Sequence, residues 1–146
     1  MALRVQTGKA VSPANRHSTI RGDLAVLLLA ILAVAGVLVH NRVDTPDEPL
    51  LSPMNVALTA VYLVLAILGF MRITRPAASW MLMIWAWIMV VASLISLMPQ
   101  ATWAGSPTNV DVHYGSHVLF GACQIPLIII LIRRLNGDVC RWTAPR

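Results

Sequence analysis

Hydropathy along the chain rises and falls four times. Apolar runs occupy Leu24 to His40, Met54 to Met71, Trp80 to Met98 and Tyr114 to Ile132, with prolines, arginines and acids collected between them. Inside the runs the few polar positions recur at three- and four-residue intervals, the period of an α-helix rather than a strand. A helix of about 20 apolar residues matches the hydrocarbon thickness of a bilayer. The pattern therefore predicts an all-α membrane protein, a four-transmembrane-helix bundle. Residues 1–22 are expected to form a basic tail, 23–134 the bundle, with spans near 24–40, 54–71, 80–98 and 114–132, and 135–146 a second short tail.

The breaks have local causes. Three prolines between Val43 and Pro53 oppose helix continuation. Ser52 before Pro53 is a start signal, a capping hydroxyl followed by a proline whose missing N–H costs nothing in the first turn. Arg72 ends the second run, Pro99 the third and Arg133-Arg134 the fourth. The first run is longer than a signal-peptide core and no small-x-small cleavage site follows it, so it reads as an uncleaved span.

Composition agrees with this assignment. Of 146 residues, 58% are hydrophobic and 12% charged, about half the charged fraction of a soluble domain. The net charge of +5 would raise nucleic acid as a partner in a soluble chain. Here the basic residues flank apolar runs, which points to topology and lipid headgroups instead. Ten of the eleven Lys and Arg residues fall in the N-terminal tail, the 72–79 link and the C-terminal tail, whereas four of the six acids (Asp44, Asp47, Glu48, Asp111) fall in the other two loops. Basic residues in short loops stay cytoplasmic. The expected topology has both termini inside (N-in/C-in), in a plasma (inner) membrane. Trp80 and Trp142 then lie near the inner interface and Trp103 and Tyr114 near the outer, with Trp85 and Trp87 deeper as packing residues.

Each span carries a stripe of small or hydrogen-bonding side chains: Ala33, Gly36 and His40; Asn55, Thr59, Tyr62, Ala66 and Gly69; Met89, Ala92, Ser93 and Ser96, with Gln100 beyond; and His113, His117, Gly121 and Gln124. In lipid such residues mark helix–helix contacts. Asn55, Thr59, Tyr62, Ser93, Ser96 and Gln124 are thus expected in the bundle interior, and packing alone accounts for them.

The histidines ask for more. His40, His113 and His117 fall toward one membrane boundary on two different helices, with Asp111 near them and Asp44, Asp47 and Glu48 in reach. Ionisable groups there usually face an interior or a cavity. Imidazole and carboxylate suit a divalent metal such as Zn, Ni or Cu, so His40, His113, His117 and Asp111 form a candidate metal set. Interfacial histidines without any role and a b-type haem held between His40 and His117 are the competing readings. Tyr114 stands where a zinc peptidase's His-Glu-x-x-His has its Glu, which excludes that chemistry. Cys123 falls in mid-membrane and Cys140 in the tail beyond the end of the same helix, too far apart for a disulfide, and no C-x-x-C pair exists for thiol exchange.

No nucleophile–base pair, paired carboxylates or phosphate-binding glycine loop is evident, so no enzymatic activity and no cofactor are expected. The leading expectation is a small integral membrane protein acting as a non-enzymatic interaction or accessory subunit, with a membrane-protein partner or a second copy. The alternative is a metal-handling or small-solute transport protein with an outward-facing histidine site.

Overall fold

The computed structural model describes residues 13–97 and 110–143, and side chains over 20–97 and 111–137. Within them the chain is all-helical. Its four helices are α1 (Pro13–Asp44), α2 (Pro53–Leu68), α3 (Arg75–Ser96) and α4 (Val110–Thr143). Three stretches are long and apolar enough to cross a membrane: Ile20–Asp44, Arg75–Ser96 and Asp111–Gly137. Pro53–Leu68 is a shorter apolar helix. The expected Pro99 stop, the Gln100 position, the loop with Trp103, and the side chains of Cys140 and Trp142 lie outside the described residues.

Neighbours in sequence pack side by side, and α4 closes the ring against both α1 and α3. That leaves α2 and α4 on one diagonal. The core between the helices is Val26, Ala30, Ala33, Val37, Tyr62, Ala66, Leu82, Ala86, Leu127 and Leu131, with leucines, isoleucines and valines turned outward. A water-soluble bundle would reverse those outer positions. Lipid-facing side chains account for them.

Glycines set the closest approaches. A Cβ on Gly121 would lie 2.8 Å from Ser93 Oγ, and one on Gly36 would lie 2.8 Å from Cys123 Cβ. The first glycine lets α3 meet α4 closely enough for Ser93 Oγ to donate to the His117 carbonyl at 2.6 Å. The second does the same for α1 against α4. Across the diagonal, the Tyr62 hydroxyl donates to Gln124 Oε1 at 2.7 Å while Gln124 Nε2 donates to the Ala33 carbonyl at 3.3 Å. One buried glutamine thus ties three helices.

Helix ends differ from the expectation in ways that matter. Ser52 caps α2 as anticipated, accepting from the Asn55 N–H at 3.3 Å, with Pro53 in the first turn. But α1 does not stop at His40. Asn41 to Asp44 contain no breaker, and the helix runs until Thr45 folds back, its N–H and hydroxyl both on the Asn41 carbonyl (2.8 and 2.7 Å) ahead of Pro46. That extra turn places Asp44 one turn above His40. At the other end α1 begins at Pro13 and α3 at Arg75, so much of the expected tail and link is helical. Trp85 packs on the core edge-on to Tyr62, with ring centroids 6.3 Å apart. Trp87, expected with Trp85 as a packing residue deep in the span, is 47% exposed and faces outward.

Candidate metal centre

The extended end of α1 and the start of α4 bring four ionisable side chains together. His40 and Asp44 are i and i+4 on α1; His113 and His117 are i and i+4 on α4. The imidazoles of His40 and His117 lie 4.1 Å apart between centroids, and those of His113 and His117 4.7 Å. Asp44 sits among all three. Its Oδ1 accepts from His113 Nδ1 at 2.8 Å, and its Oδ2 is 3.5 Å from His40 Nε2 and 3.7 Å from His117 Nε2.

The last two separations exceed an N–H···O hydrogen bond, which runs about 2.7–3.2 Å. They match a different object. Ligands bound tetrahedrally to zinc at 2.0–2.1 Å stand about 3.3 Å from one another, the edge of the tetrahedron. Ligand atoms of His40, Asp44 and His117 all fall within 4.8 Å of each other. The two separations from Asp44 lie near that edge, so the three side chains could hold a cation between them.

Neighbouring groups hold two of the three donors, His40 and Asp44, in the required state. Ser116 Oγ gives its hydrogen to the His113 carbonyl at 2.7 Å, so toward His40 Nδ1, 3.2 Å away, it can only accept. His40 is then protonated at Nδ1 and presents a bare Nε2 to the cluster. His113 likewise donates through Nδ1 to Asp44, leaving Oδ2 for the same centre. Metal-binding histidines and carboxylates are characteristically fixed by such outer hydrogen bonds. The side chain of His117 is only 4% exposed. Its Nδ1 is buried with no hydrogen-bond partner among the described residues.

Ser116, His40 and Asp44 have the composition of a hydrolytic triad but not its geometry. The hydroxyl hydrogen is committed to a backbone carbonyl, Ser116 is 5% exposed, and the His40–Asp44 separation is too long to polarise the ring. A haem between His40 and His117 does not fit either. With centroids 4.1 Å apart and planes tilted by 47°, the rings leave no room for a porphyrin between them.

Of the anticipated metal set, His40, His113 and His117 converge, and Asp111 does not join them. It is exposed in the first turn of α4, where a carboxylate suits the positive end of the helix dipole. The carboxylate of the group is Asp44. Among the anticipated interior positions, Asn55, Tyr62, Ser93 and Gln124 are buried. Asn55 accepts from Asn41 Nδ2 at 2.6 Å. Thr59 is half-buried, and Ser96 bonds back to its own helix at the Ala92 carbonyl, 3.0 Å.

The opposite end holds a network the sequence did not advertise. Asp23, 5% exposed, receives Arg134 Nη2 on Oδ1 and Arg75 Nη2 on Oδ2, each at 2.6 Å. The Gly69 carbonyl also accepts from Arg75 Nε at 3.3 Å and Arg134 Nη2 at 2.6 Å. Its only signal was an acid at the very start of an apolar run, with arginines flanking the same-side ends of the others. No family model, curated protein or solved structure matches the chain.

Proposed function

We propose that the chain is a small metal-handling protein of the plasma membrane. Its four helices cross the bilayer with both termini cytoplasmic, and it binds a divalent transition-metal ion, zinc or a neighbour of similar ligand preference, at its extracytoplasmic end. The observation that carries this reading is the pair of 3.5 and 3.7 Å separations from Asp44 Oδ2 to His40 Nε2 and His117 Nε2, too long for hydrogen bonds and close to a tetrahedral edge. The orientation rests on the arginine distribution.

Three protein donors leave a fourth position for water or an incoming ligand, the arrangement of an exchangeable site rather than a closed structural one. The core supports binding at one face over conduction. Below Gln124, the fully buried Leu82, Leu127, Leu131 and Val26, with Ala30, fill the bundle centre. Elemental analysis of purified protein equilibrated with zinc tests the reading. Wild type should retain about one ion per chain and His40→Ala/His117→Ala none; substoichiometric metal in the wild type would remove it.

A second reading, a non-enzymatic accessory subunit of a membrane complex, is favoured by α2. Its 16 residues span only about 24 Å, short of a hydrocarbon core of about 30 Å, and association with another helix is one way to relieve such mismatch. Purification as a monodisperse monomer without any retained partner would count against it.

A further inference from the structure

The carboxylate of the histidine cluster stands where its own helix disfavours it. Asp44 is the last residue of α1, at the negative end of the helix dipole, where a carboxylate is repelled. Asn41, Val43 and Asp44 are weak helix formers, and the final turn of any helix leaves its carbonyls without intrahelical partners. Left to itself this turn would fray. His40 and Asp44 would then no longer stand one above the other on a single face.

Two contacts from other helices keep it wound. From α4, His113 Nδ1 donates to Asp44 Oδ1 at 2.8 Å. From α2, Asn55 Oδ1 accepts from Asn41 Nδ2 at 2.6 Å. Asn41 is the residue on which the turn closes, its carbonyl taking both the N–H and the hydroxyl of Thr45. Asn55 is itself fixed. It is 4% exposed, and its N–H bonds to the capping hydroxyl of Ser52, which is equally buried. The rigid first turn of α2 thus grips the last turn of α1 through one amide–amide pair, just below Asp44.

We infer that Asn55 is a positioning residue for the metal site proposed above, on which this role rests. Through Asn41 it holds the Asp44 carboxylate beside His40 and His117, and it couples occupancy of the site to the seating of α2 on α1. The coupling is reciprocal: if the grip of Asn55 strengthens binding, a bound ion strengthens that grip by the same factor.

Zinc affinity by competition titration, read beside backbone hydrogen exchange of the full chain in detergent, tests the role. Asn55→Leu keeps the volume and removes the acceptor. Without metal it should speed exchange of the Thr45 amide by about tenfold, within the worth of one interhelical hydrogen bond. Its zinc affinity should fall by about tenfold, the lower end for losing an outer-shell partner. Asn55→Asp, which still offers Asn41 Nδ2 an oxygen, should restore both. Asn41→Leu breaks the same pair from the other side and should match Asn55→Leu, which covers the case that the latter does not fold. In the wild type, zinc should slow exchange at the Val56 amide, bonded to the Ser52 carbonyl in α2's first turn; in the leucine variants it should not.

A lower melting temperature with wild-type zinc affinity in both leucine variants would make the pair a packing bond only, and overturns the assignment. So does a Thr45 amide that exchanges no faster in them. A wild type that binds no zinc while Thr45 exchange still quickens in Asn55→Leu is a separate failure: it removes the metal site itself and leaves Asn55 as the anchor of a turn that holds no ion.

Discussion

Replacing Asp23 by Asn is the sharpest test of how the bundle is held at its arginine end. The substitution keeps shape and one acceptor but removes the charge that faces both Arg75 and Arg134 at 2.6 Å. The two guanidiniums are only 17% and 11% exposed, so solvent screens them poorly. Breaking a buried pair by deleting one partner typically costs about 3–5 kcal/mol, because the remaining charge is stranded. Here partial exposure and the shared Gly69 carbonyl soften the loss, and about 3 kcal/mol is expected. For a chain of this size that corresponds to a fall in Tm of roughly 6–12 °C. The assay is thermal unfolding in mild detergent of wild type, Asp23→Asn, Arg134→Gln and the double variant. Since the residues form one network, the double variant should be less destabilised than the two single losses together. An Asp23→Asn protein melting within about 1 °C of wild type would refute the reasoning, as would strict additivity.

Three other outcomes follow from the geometry. Gly121→Ala places a methyl 2.8 Å from Ser93 Oγ; differential melting should show a loss of about 1–3 kcal/mol, typical of overpacking, and Ser93→Ala in the same background should recover part of it. Tyr62→Phe deletes the 2.7 Å bond to Gln124 and should cost only about 0.6–1.7 kcal/mol in a denaturant titration, the range of interhelical bonds in membranes. Ser116→Ala removes the acceptor that fixes the His40 tautomer without touching a ligand, so competition titration should give a zinc affinity 10–100-fold weaker, roughly the cost of losing an outer-shell partner, with melting in the absence of metal little changed.

Much of the fold was legible because lipid imposes a simple code. Apolar length, proline punctuation and small-residue stripes located all four helices and placed Tyr62, Ser93 and Gln124 inside. The helix ends were less legible, since hydrophobicity marks where a helix meets lipid and not where its hydrogen bonding stops. Asn41 to Asp44 are polar yet unbroken, and α1 continues through them. That one turn hid the carboxylate of the group: in the sequence Asp44 reads as a loop acid, within reach of the histidines but outside the candidate set that contains Asp111. Asp23 was obscured for the same reason. It stood at the edge of an apolar run, and only the packing of α1, α3 and α4 turns it inward against two arginines from distant parts of the chain. Pairings of that kind depend on how helices rotate against one another, which no single helix's periodicity specifies.

The account turns on whether His40, Asp44 and His117 together hold a metal, and X-ray absorption at the zinc edge of the loaded protein examines that without reference to activity. A first shell of about four nitrogen and oxygen atoms at 2.0–2.1 Å, with the outer scattering of two imidazoles that disappears in His40→Ala/His117→Ala, is the predicted spectrum. An all-oxygen shell with no imidazole scattering, or a spectrum unchanged by that double substitution, would contradict it.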